Sequence, residues 1–337
     1  MRVLRAAPHR QEPLPLRESL NSMEFLFAGI GLVILLLAGD LLVRGAVNSS
    51  LRLGVPALIV SLTVVAFGTS APELLISVAA ILDGAPGLAL GNVVGSNTAN
   101  ILLVLGMPAL ISTLNTSDCD TRKSYATMLV ASIIFVAIAF VGPITWIHGV
   151  ILLSMLALIL GDQARQALAH RRSMAALEND LEGVDPDMPW WKIGLFLGLG
   201  LIGLPLGADI FVDASLVIAR NFGVSDSVIG LTLVALGTSL PELATTVMAA
   251  IRRQADVAIG NVIGSNMFNL LGIIGVASFF GDIPVAASFV TFDFWVMLGA
   301  TVLIAPFVFS NTRNMTRRWG AALCAAYLTY IWVVVHA

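Results

Sequence analysis

Long apolar runs separated by short polar segments follow one another along almost the whole chain. An apolar stretch of about 20 residues is long enough to cross the hydrocarbon core of a bilayer as a helix. Ten stretches meet this condition, at residues 24–43, 55–82, 86–113, 124–142, 145–162, 190–219, 225–251, 255–280, 285–310 and 316–335. The pattern therefore predicts an all-α polytopic membrane protein with ten transmembrane helices.

The overall composition agrees with this pattern. Hydrophobic residues make up 58% of the 337 residues and charged residues 12%, whereas soluble domains carry about 25% charged residues. The net charge of −3 gives no indication of nucleic-acid binding. Cys119 and Cys324 are too few for a disulfide framework or a metal knuckle. The lipid bilayer is the expected partner, and no feature of the sequence indicates an obligatory protein partner.

The second half of the chain repeats the first half at a constant offset of 169 residues. Segments 68–106 and 237–275 share 18 identities over 39 positions. Each half contains five predicted spans, and because five is odd the second half enters the membrane from the opposite side. The sequence thus predicts two inverted five-helix repeats, residues 23–162 and 190–337, which is the architecture of many secondary transporters.

Two segments lie outside the predicted repeats. Residues 163–189 are rich in charge and contain no apolar run of spanning length, so they are predicted to be a linker. Residues 1–22 contain four arginines and three prolines and lack the A-x-A-like cleavage site of a signal peptide. They are predicted to be an unstructured extension, or a mis-called start with Met23 as the true beginning.

The distribution of lysine and arginine predicts the orientation. From Met23 onward, thirteen of these residues lie on the side of the membrane that holds residues 163–189, and only Arg220 lies on the other side. Because cytoplasmic loops carry the excess of positive charge, the linker is predicted to be cytoplasmic and both termini outside.

A polar motif interrupts the second apolar run and returns in the seventh. It reads Gly68-Thr69-Ser70-Ala71-Pro72-Glu73 and then Gly237-Thr238-Ser239-Leu240-Pro241-Glu242. Each proline removes a backbone N–H and frees carbonyl groups in the preceding turn. A carboxylate inside a membrane is costly and marks a functional site by default. Since carboxylate, hydroxyl and carbonyl oxygens are the ligands that Ca²⁺ prefers, the two motifs predict a cation site at the membrane midplane.

A second duplicated motif lies in the third and eighth runs, at residues 91–100 and 260–269. It reads G-N-V-V-G-S-N-T-A-N in the first copy and G-N-V-I-G-S-N-M-F-N in the second. Ser96 and Asn100 are four residues apart, as are Ser265 and Asn269, so each pair lies on one helical face. Gly, Ser and Asn also serve close packing of membrane helices. Duplication beside a duplicated glutamate favours a role in the cation site.

Together the two motifs resemble the α-repeats of the calcium/cation antiporter superfamily, which includes the sodium/calcium exchangers. The resemblance implies that ions bind between spans two, three, seven and eight, with Glu73 and Glu242 as central ligands of Ca²⁺ and Na⁺. It further implies the following oxygen donors: Thr69, Ser70, Thr238, Ser239, Ser96 and Ser265, backbone carbonyls near Ala66 and Ala235, and the midplane positions Asn100 and Asn269. It also implies a prokaryotic plasma membrane and no cofactor.

Ca²⁺/Na⁺ antiport by alternating access is therefore the predicted function. Asn269 stands where many relatives, including potassium-dependent exchangers, have Asp, so K⁺ co-transport is not predicted. The two glutamates set the largest anionic charge of the four-span site at −2, which one Ca²⁺ or two Na⁺ neutralise. Exchange of more than two Na⁺ per Ca²⁺ would move net charge.

Two other functions stay open. A Ca²⁺/H⁺ antiporter would use the same two glutamates as proton carriers. A cation channel is less favoured, because inverted repeats with one midplane site suit alternating access. An enzyme is not indicated, since Asp40 and Asp209 lack the Gly-x-Gly-Asp signature of intramembrane aspartyl proteases and no H-E-x-x-H motif occurs.

Overall fold

The computed structural model describes residues 14–116, 119, 121–170, 185, 188–222, 235–310 and 312–336. Within these ranges the chain is helical, with two isolated β-bridges in loops and no strand. We number the helices α1 (Leu14–Leu53), α2 (Ala57–Thr69), α3 (Ala71–Leu82), α4 (Pro86–Ile111), α5 (Arg122–Val141), α6 (Trp146–His170), α7 (Trp190–Asn221), α8 (Ala235–Thr238), α9 (Leu240–Ile251), α10 (Ala255–Ala277), α11 (Phe289–Phe309) and α12 (Arg317–His336).

The all-helical membrane fold predicted from the apolar runs is confirmed. Eight helices in the described ranges are long and apolar enough to cross a membrane, and α2 with α3 forms a ninth span if the bent pair is counted as one. The predicted span 225–251 is seen only as α8 and α9, because residues 223–234 lie outside the described ranges. The number of ten spans therefore stays a prediction.

Two helices extend beyond the predicted boundaries. Helix α1 begins at Leu14, upstream of Met23, so the predicted unstructured extension is helical from Leu14 onward, and residues 1–13 lie outside the described ranges. Helix α6 continues to His170, past the start of the predicted linker at Gln163. A helix satisfies its own backbone hydrogen bonds, so it continues through polar residues where the apolar run stops.

The spans that carry the Pro-Glu motifs are broken at matched positions. Helices α2 and α3 bend by 42° at Ser70, which has φ −85° and ψ 3°. Ser239 separates α8 from α9 with nearly the same backbone angles, φ −89° and ψ 4°. In both cases the motif proline lies in the first turn of the following helix, where its missing N–H costs no helical hydrogen bond. The interruptions that the two prolines predict are present.

Helices α4 and α10 form the centre of the molecule. The most apolar window of α10 is completely buried and that of α4 is 72% buried, whereas the other spanning helices reach at most 39%. A helix that is apolar or small on all sides is suited to such a central position. The second duplicated motif therefore lies in the most enclosed part of the structure.

Helices α1 and α7 pack lengthwise against each other. A Cβ atom at Gly31 would lie 2.6 Å from the backbone N of Phe211, and one at Gly207 would lie 2.9 Å from the backbone N of Leu35. Any side chain at these two positions would push the helices apart, because glycine allows membrane helices to approach backbone to backbone. The two helices thus form a tightly joined pair beside the core.

Candidate cation-binding site

The two helix breaks place Glu73 and Glu242 in the interior. Glu73 lies in the first turn of α3 and Glu242 in the first turn of α9, and their exposed fractions are 1% and 0%. The first turn of a helix carries a partial positive charge that stabilises a carboxylate. The two carboxylates are also close enough to interact electrostatically. Two buried carboxylates near each other favour the arrival of a cation between them.

Hydroxyl groups from both repeats lie beside Glu242. Ser70 Oγ donates a hydrogen bond of 3.1 Å to Glu242 Oε1, and Thr69 and Ser265 lie close to the same carboxylate. Thr69 Oγ1 lies 3.5 Å from Ser265 Oγ. The structure thus brings together four residues that the sequence predicted as ligands, from helices α2, α9 and α10 and from the break at Ser70.

The arrangement around Glu73 differs from that around Glu242. Ser239 is the counterpart of Ser70, but its hydroxyl has no hydrogen-bond partner among the described residues. Thr238, the counterpart of Thr69, keeps the equivalent contact, because its Oγ1 lies 3.5 Å from Asn92 Oδ1 and Thr69 Oγ1 lies 3.4 Å from Asn261 Oδ1. The two halves of the site are therefore equivalent in sequence and unequal in their contacts.

Amide side chains connect the two central helices. Asn97 Nδ2 donates to the backbone oxygen of Asn266 at 3.2 Å, and Asn266 Nδ2 donates to the backbone oxygen of Asn97 at 3.4 Å. Asn100 Nδ2 also donates to Asn266 Oδ1 at 3.1 Å. Asn100 and Asn269 lie in π-helical turns, residues 100–104 and 268–273, a geometry that often marks functional sites.

Eight buried side-chain atoms in this region have no hydrogen-bond partner among the described residues. Seven of them are oxygens. The atoms are Glu73 Oε2, Glu242 Oε2, Ser96 Oγ, Ser239 Oγ, Asn97 Oδ1, Asn100 Oδ1, and both Oδ1 and Nδ2 of Asn269. Buried polar atoms in proteins are nearly always hydrogen bonded or bound to an ion or water. A concentration of oxygens of this kind fits a hard cation, which takes six to eight oxygen ligands.

The two predicted backbone ligands are less fully described. The backbone oxygen of Ala66 accepts hydrogen bonds from Thr69 Oγ1 at 3.3 Å and from the N–H of Ser70 at 3.0 Å, so it is already hydrogen bonded within its own helical turn. Ala235 is the first residue of α8, on the same turn as Thr238. In the described ranges no group of three His, Cys, Asp or Glu side chains is arranged to hold a metal ion. The site combines two carboxylates with neutral oxygens.

Four asparagines near the site were not among the predicted ligands. They are Asn92, Asn97, Asn261 and Asn266, and each has its counterpart 169 residues away. The sequence signal that could have identified them is their identity in both copies of the second motif. Their roles depend on which way each amide faces, which the spacing alone does not determine.

A cavity of about 240 Å³ borders the site on the side of α7. Its lining includes Pro72, Pro241 and Thr238 from the two helix breaks, and Asp209 and Asp213 from α7. Both aspartates are exposed. Since Thr238 lines this cavity and is also a predicted ligand, the cavity lies next to the site.

Comparison with known proteins agrees with this geometry. The family model described as "Sodium/calcium exchanger protein" matches residues 23–162 and 192–336. The sodium/calcium exchanger MaX1 of Methanosarcina acetivorans is 32% identical, covering 94% of this chain and 99% of its own. The inner membrane protein YrbG of Escherichia coli is 33% identical, covering 90% of this chain and 94% of its own.

Solved structures of a similar protein share the fold. The sodium-calcium exchanger NCX_Mj soaked with zero Na⁺ and Ca²⁺ superposes with a TM-score of 0.78 and 32% identity, covering 94% of this chain and 99% of that one. NCX_Mj soaked with 2.5 mM Na⁺ and 1 mM Sr²⁺ gives a TM-score of 0.77 and 33% identity, covering 93% and 97%.

Proposed function

The chain belongs to the sodium/calcium exchanger family, and on that premise we propose that it is a secondary antiporter that exchanges Ca²⁺ for Na⁺ by alternating access. Membership confirms the resemblance drawn from the two duplicated motifs, and the relatives are transporters rather than enzymes. Glu73 and Glu242 are the proposed central ligands, and the hydroxyl, amide and carbonyl oxygens around them complete the proposed sites.

One observation supports this function most directly. Seven buried oxygens that lack partners among the described residues belong to the two buried glutamates and to other residues of the two duplicated motifs. A dehydrated Ca²⁺ or Na⁺ would satisfy these oxygens, and it would also screen the repulsion between the carboxylates. The full proposed ligand set is Glu73, Glu242, Thr69, Ser70, Thr238, Ser239, Ser96, Ser265, Asn100 and Asn269, with the backbone oxygens of Ala66 and Ala235.

The charge of the proposed site determines whether exchange moves net charge across the membrane. Glu73 and Glu242 supply two negative charges, and Asn269 and Asn100 are neutral amides. One Ca²⁺ gives a neutral loaded site, as do two Na⁺. A third Na⁺ gives a loaded site with one positive charge, so exchange of three Na⁺ for one Ca²⁺ carries one net charge across the membrane per cycle.

Ca²⁺/H⁺ antiport is the second candidate. The observation that favours it is the nearly complete burial of the two carboxylates. When no metal ion is bound, a proton neutralises a buried carboxylate as a Na⁺ ion would. The serine and threonine hydroxyls among the proposed ligands favour Na⁺ over H⁺ as the coupling ion. Neutral oxygens can coordinate Na⁺, whereas a proton needs only the carboxylate.

The proposed topology follows the distribution of positive charge. Residues 23–162 and 190–337 are proposed as two inverted repeats, with the 163–189 linker on the cytoplasmic side and both termini outside. The plasma membrane of a bacterium or archaeon is the proposed location. Two isolated β-bridges support the repeat relationship. Leu114 pairs with Met315, and Ile283, which is the counterpart of Leu114 169 residues later, pairs with Ile144.

Purified protein in liposomes provides the test. An outward Na⁺ gradient should drive ⁴⁵Ca²⁺ uptake, and a pH gradient of equal size without Na⁺ should drive much less. Uptake driven by the pH gradient alone would favour Ca²⁺/H⁺ antiport. Uptake that follows the Ca²⁺ gradient and needs neither counter-ion would contradict antiport and indicate a channel.

A further inference from the structure

Two asparagines outside the proposed ligand set make the same contacts in the two repeats. They are Asn92 on α4 and its counterpart Asn261 on α10, 169 residues later. Asn92 is partly buried and Asn261 is completely buried. Each belongs to the second duplicated motif, and neither presents an unpartnered atom to the carboxylates.

The donor side of each amide holds the helix that carries the glutamate of its own repeat. Asn92 Nδ2 donates to the backbone oxygen of Glu73 at 3.3 Å and to Ser77 Oγ at 3.0 Å. In the second repeat, Asn261 Nδ2 donates to the backbone oxygen of Glu242 at 3.4 Å and to Thr246 Oγ1 at 3.2 Å. The amide therefore ties the first turn of α3 to α4, and that of α9 to α10.

The acceptor side of each amide reaches across to the other repeat. Asn92 Oδ1 accepts from Thr238 Oγ1 at 3.5 Å, and Asn261 Oδ1 accepts from Thr69 Oγ1 at 3.4 Å. These contacts lie at the long end of the hydrogen-bond range, so they orient the hydroxyl more than they hold it. Both threonines precede a helix break and are proposed ligands.

Asparagine is suited to this double role. Its side chain has two N–H donors and one carbonyl acceptor at a fixed separation. The donors satisfy a backbone oxygen and a hydroxyl of one repeat while the acceptor meets a hydroxyl of the other. Aspartate would lack the donors, and alanine would leave buried polar groups on both repeats without a partner, which is costly.

We propose that Asn92 and Asn261 are positioning residues, each of which fixes the glutamate-bearing helix of its own repeat and orients the ligand threonine of the other. They act as a pair of crossed clamps, because each amide joins the glutamate-bearing helix of one repeat to a ligand threonine of the other. The inference rests on the proposed function, because it assigns these amides a role in the same cation site.

A crossed set of double-mutant cycles tests the clamps. The full chain is purified, and the dissociation constant of ⁴⁵Ca²⁺ is measured in Na⁺-free buffer for Asn92→Ala, Asn261→Ala, Thr69→Val and Thr238→Val. Each single variant should weaken binding about tenfold, as expected for residues that support metal ligands. The contacting pairs are Asn92 with Thr238 and Asn261 with Thr69. The matched controls are the exchanged pairs, Asn92 with Thr69 and Asn261 with Thr238.

The contacting pairs should be non-additive, because either substitution removes the same contact. Their double variants should bind Ca²⁺ within about threefold of the weaker single variant, whereas the exchanged pairs should lose about a hundredfold. Thermal stability without Ca²⁺ is measured in parallel, because a general folding defect would not distinguish contacting from exchanged pairs. If the alanine variants fail to fold, Asn92→Ser and Asn261→Ser replace them, since serine keeps a polar atom in the buried position.

If the losses of Ca²⁺ affinity were additive in all four pairs, or non-additive in all four, the positioning role of Asn92 and Asn261 would be contradicted. The proposed function would not be affected. Wild-type protein that binds no Ca²⁺ would overturn the proposed function and the clamps together. Non-additivity confined to the two contacting pairs would support the assignment.

Discussion

Asp40, in the second half of α1, forms an ion pair with Arg252, the residue that follows the last turn of α9. Arg44, one turn further along α1, adds a second contact to Asp40 at 3.0 Å. The counterparts of these residues 169 positions away are Asp209, Asp213 and Asp83, which are all acids and cannot form the same ion pairs. Opposite charges therefore join α1 to the end of α9 in one half of the molecule, and the other half has no equivalent of this link among these three residues.

This difference predicts a bias between the two access states. The ion pair joins α1 to the end of a glutamate-bearing helix, on the side of the membrane that the distribution of lysine and arginine predicts to be cytoplasmic. Asp40→Asn or Arg252→Gln should weaken closure on that side and raise the apparent Ca²⁺ affinity measured from it about fivefold relative to the other side. The two substitutions should not add, because they remove one contact. Vesicles of defined orientation allow both sides to be measured.

Asp209→Asn is the matched control for that experiment, because Asp209 is the exposed counterpart of Asp40. It should leave the ratio of the two affinities unchanged or shift it in the opposite direction. An unchanged ratio in Asp40→Asn and Arg252→Gln would show that the ion pair does not bias access.

The unequal contacts of Ser70 and Ser239 predict unequal effects on stability. Ser70 donates a hydrogen bond to the carboxylate of Glu242, whereas Ser239 has no partner among the described residues. In ion-free protein, Ser70→Ala should lower the free energy of unfolding by about 2 kcal/mol, the usual range for a hydrogen bond to a charged group. Ser239→Ala should cost less than about 1 kcal/mol.

Denaturant titration followed by tryptophan fluorescence gives both stabilities under the same conditions. Both variants should also bind Ca²⁺ more weakly than wild type, because both hydroxyls are proposed ligands. Equal losses of stability would mean that the two halves of the site are equivalent in the ion-free protein, contrary to their contacts.

Asn269 predicts that exchange does not need K⁺. Its side chain is completely buried and neither amide atom has a hydrogen-bond partner in the described ranges, so it faces the site without adding charge. Na⁺-driven Ca²⁺ uptake should proceed at full rate in K⁺-free buffer, and Asn269→Asp should introduce a dependence on K⁺. Wild-type protein that is inactive until K⁺ is added would refute this interpretation of Asn269.

Much of the fold and of the candidate site could be predicted from the sequence, because the signals are local. Proline at positions 72 and 241 dictates where two helices break, and a glutamate in an apolar run dictates where charge must be compensated. The constant offset between the halves then identifies equivalent residues. The predicted polar residues do meet, since Thr69, Ser70, Ser265 and Glu242 come together from elements distant in the chain.

Other features could not be predicted, because they depend on how helices face one another. Helices α4 and α10 are apolar or small on all sides, so periodicity does not say which way Asn92 or Asn261 points. The ion pair between Asp40 and Arg252 joins residues 212 positions apart and depends on where α9 ends. The difference between Ser70 and Ser239 arises from packing around two segments whose sequences are nearly the same.

The charge of the proposed site predicts electrogenic exchange when more than two Na⁺ replace one Ca²⁺. In liposomes that contain valinomycin, a membrane potential set by K⁺ gradients should change the rate of Na⁺-driven ⁴⁵Ca²⁺ uptake. Uptake of one Ca²⁺ against efflux of three Na⁺ moves one positive charge outward, so an inside-negative potential should slow uptake and an inside-positive potential should accelerate it. A rate independent of potential would indicate neutral exchange of two Na⁺ for one Ca²⁺.

The central claim is that Glu73 and Glu242 hold the transported cation. Equilibrium binding of ⁴⁵Ca²⁺ to purified Glu73→Gln and Glu242→Gln tests it most directly, because glutamine keeps the shape and removes one of the two negative charges. Asp83→Asn, which neutralises an exposed carboxylate at the other end of α3, is the control. We predict that both glutamine variants insert normally and lose at least about a hundredfold in affinity, the loss expected when a buried charge partner is removed, while the control binds like wild type. Near-normal binding by both glutamine variants would contradict the account.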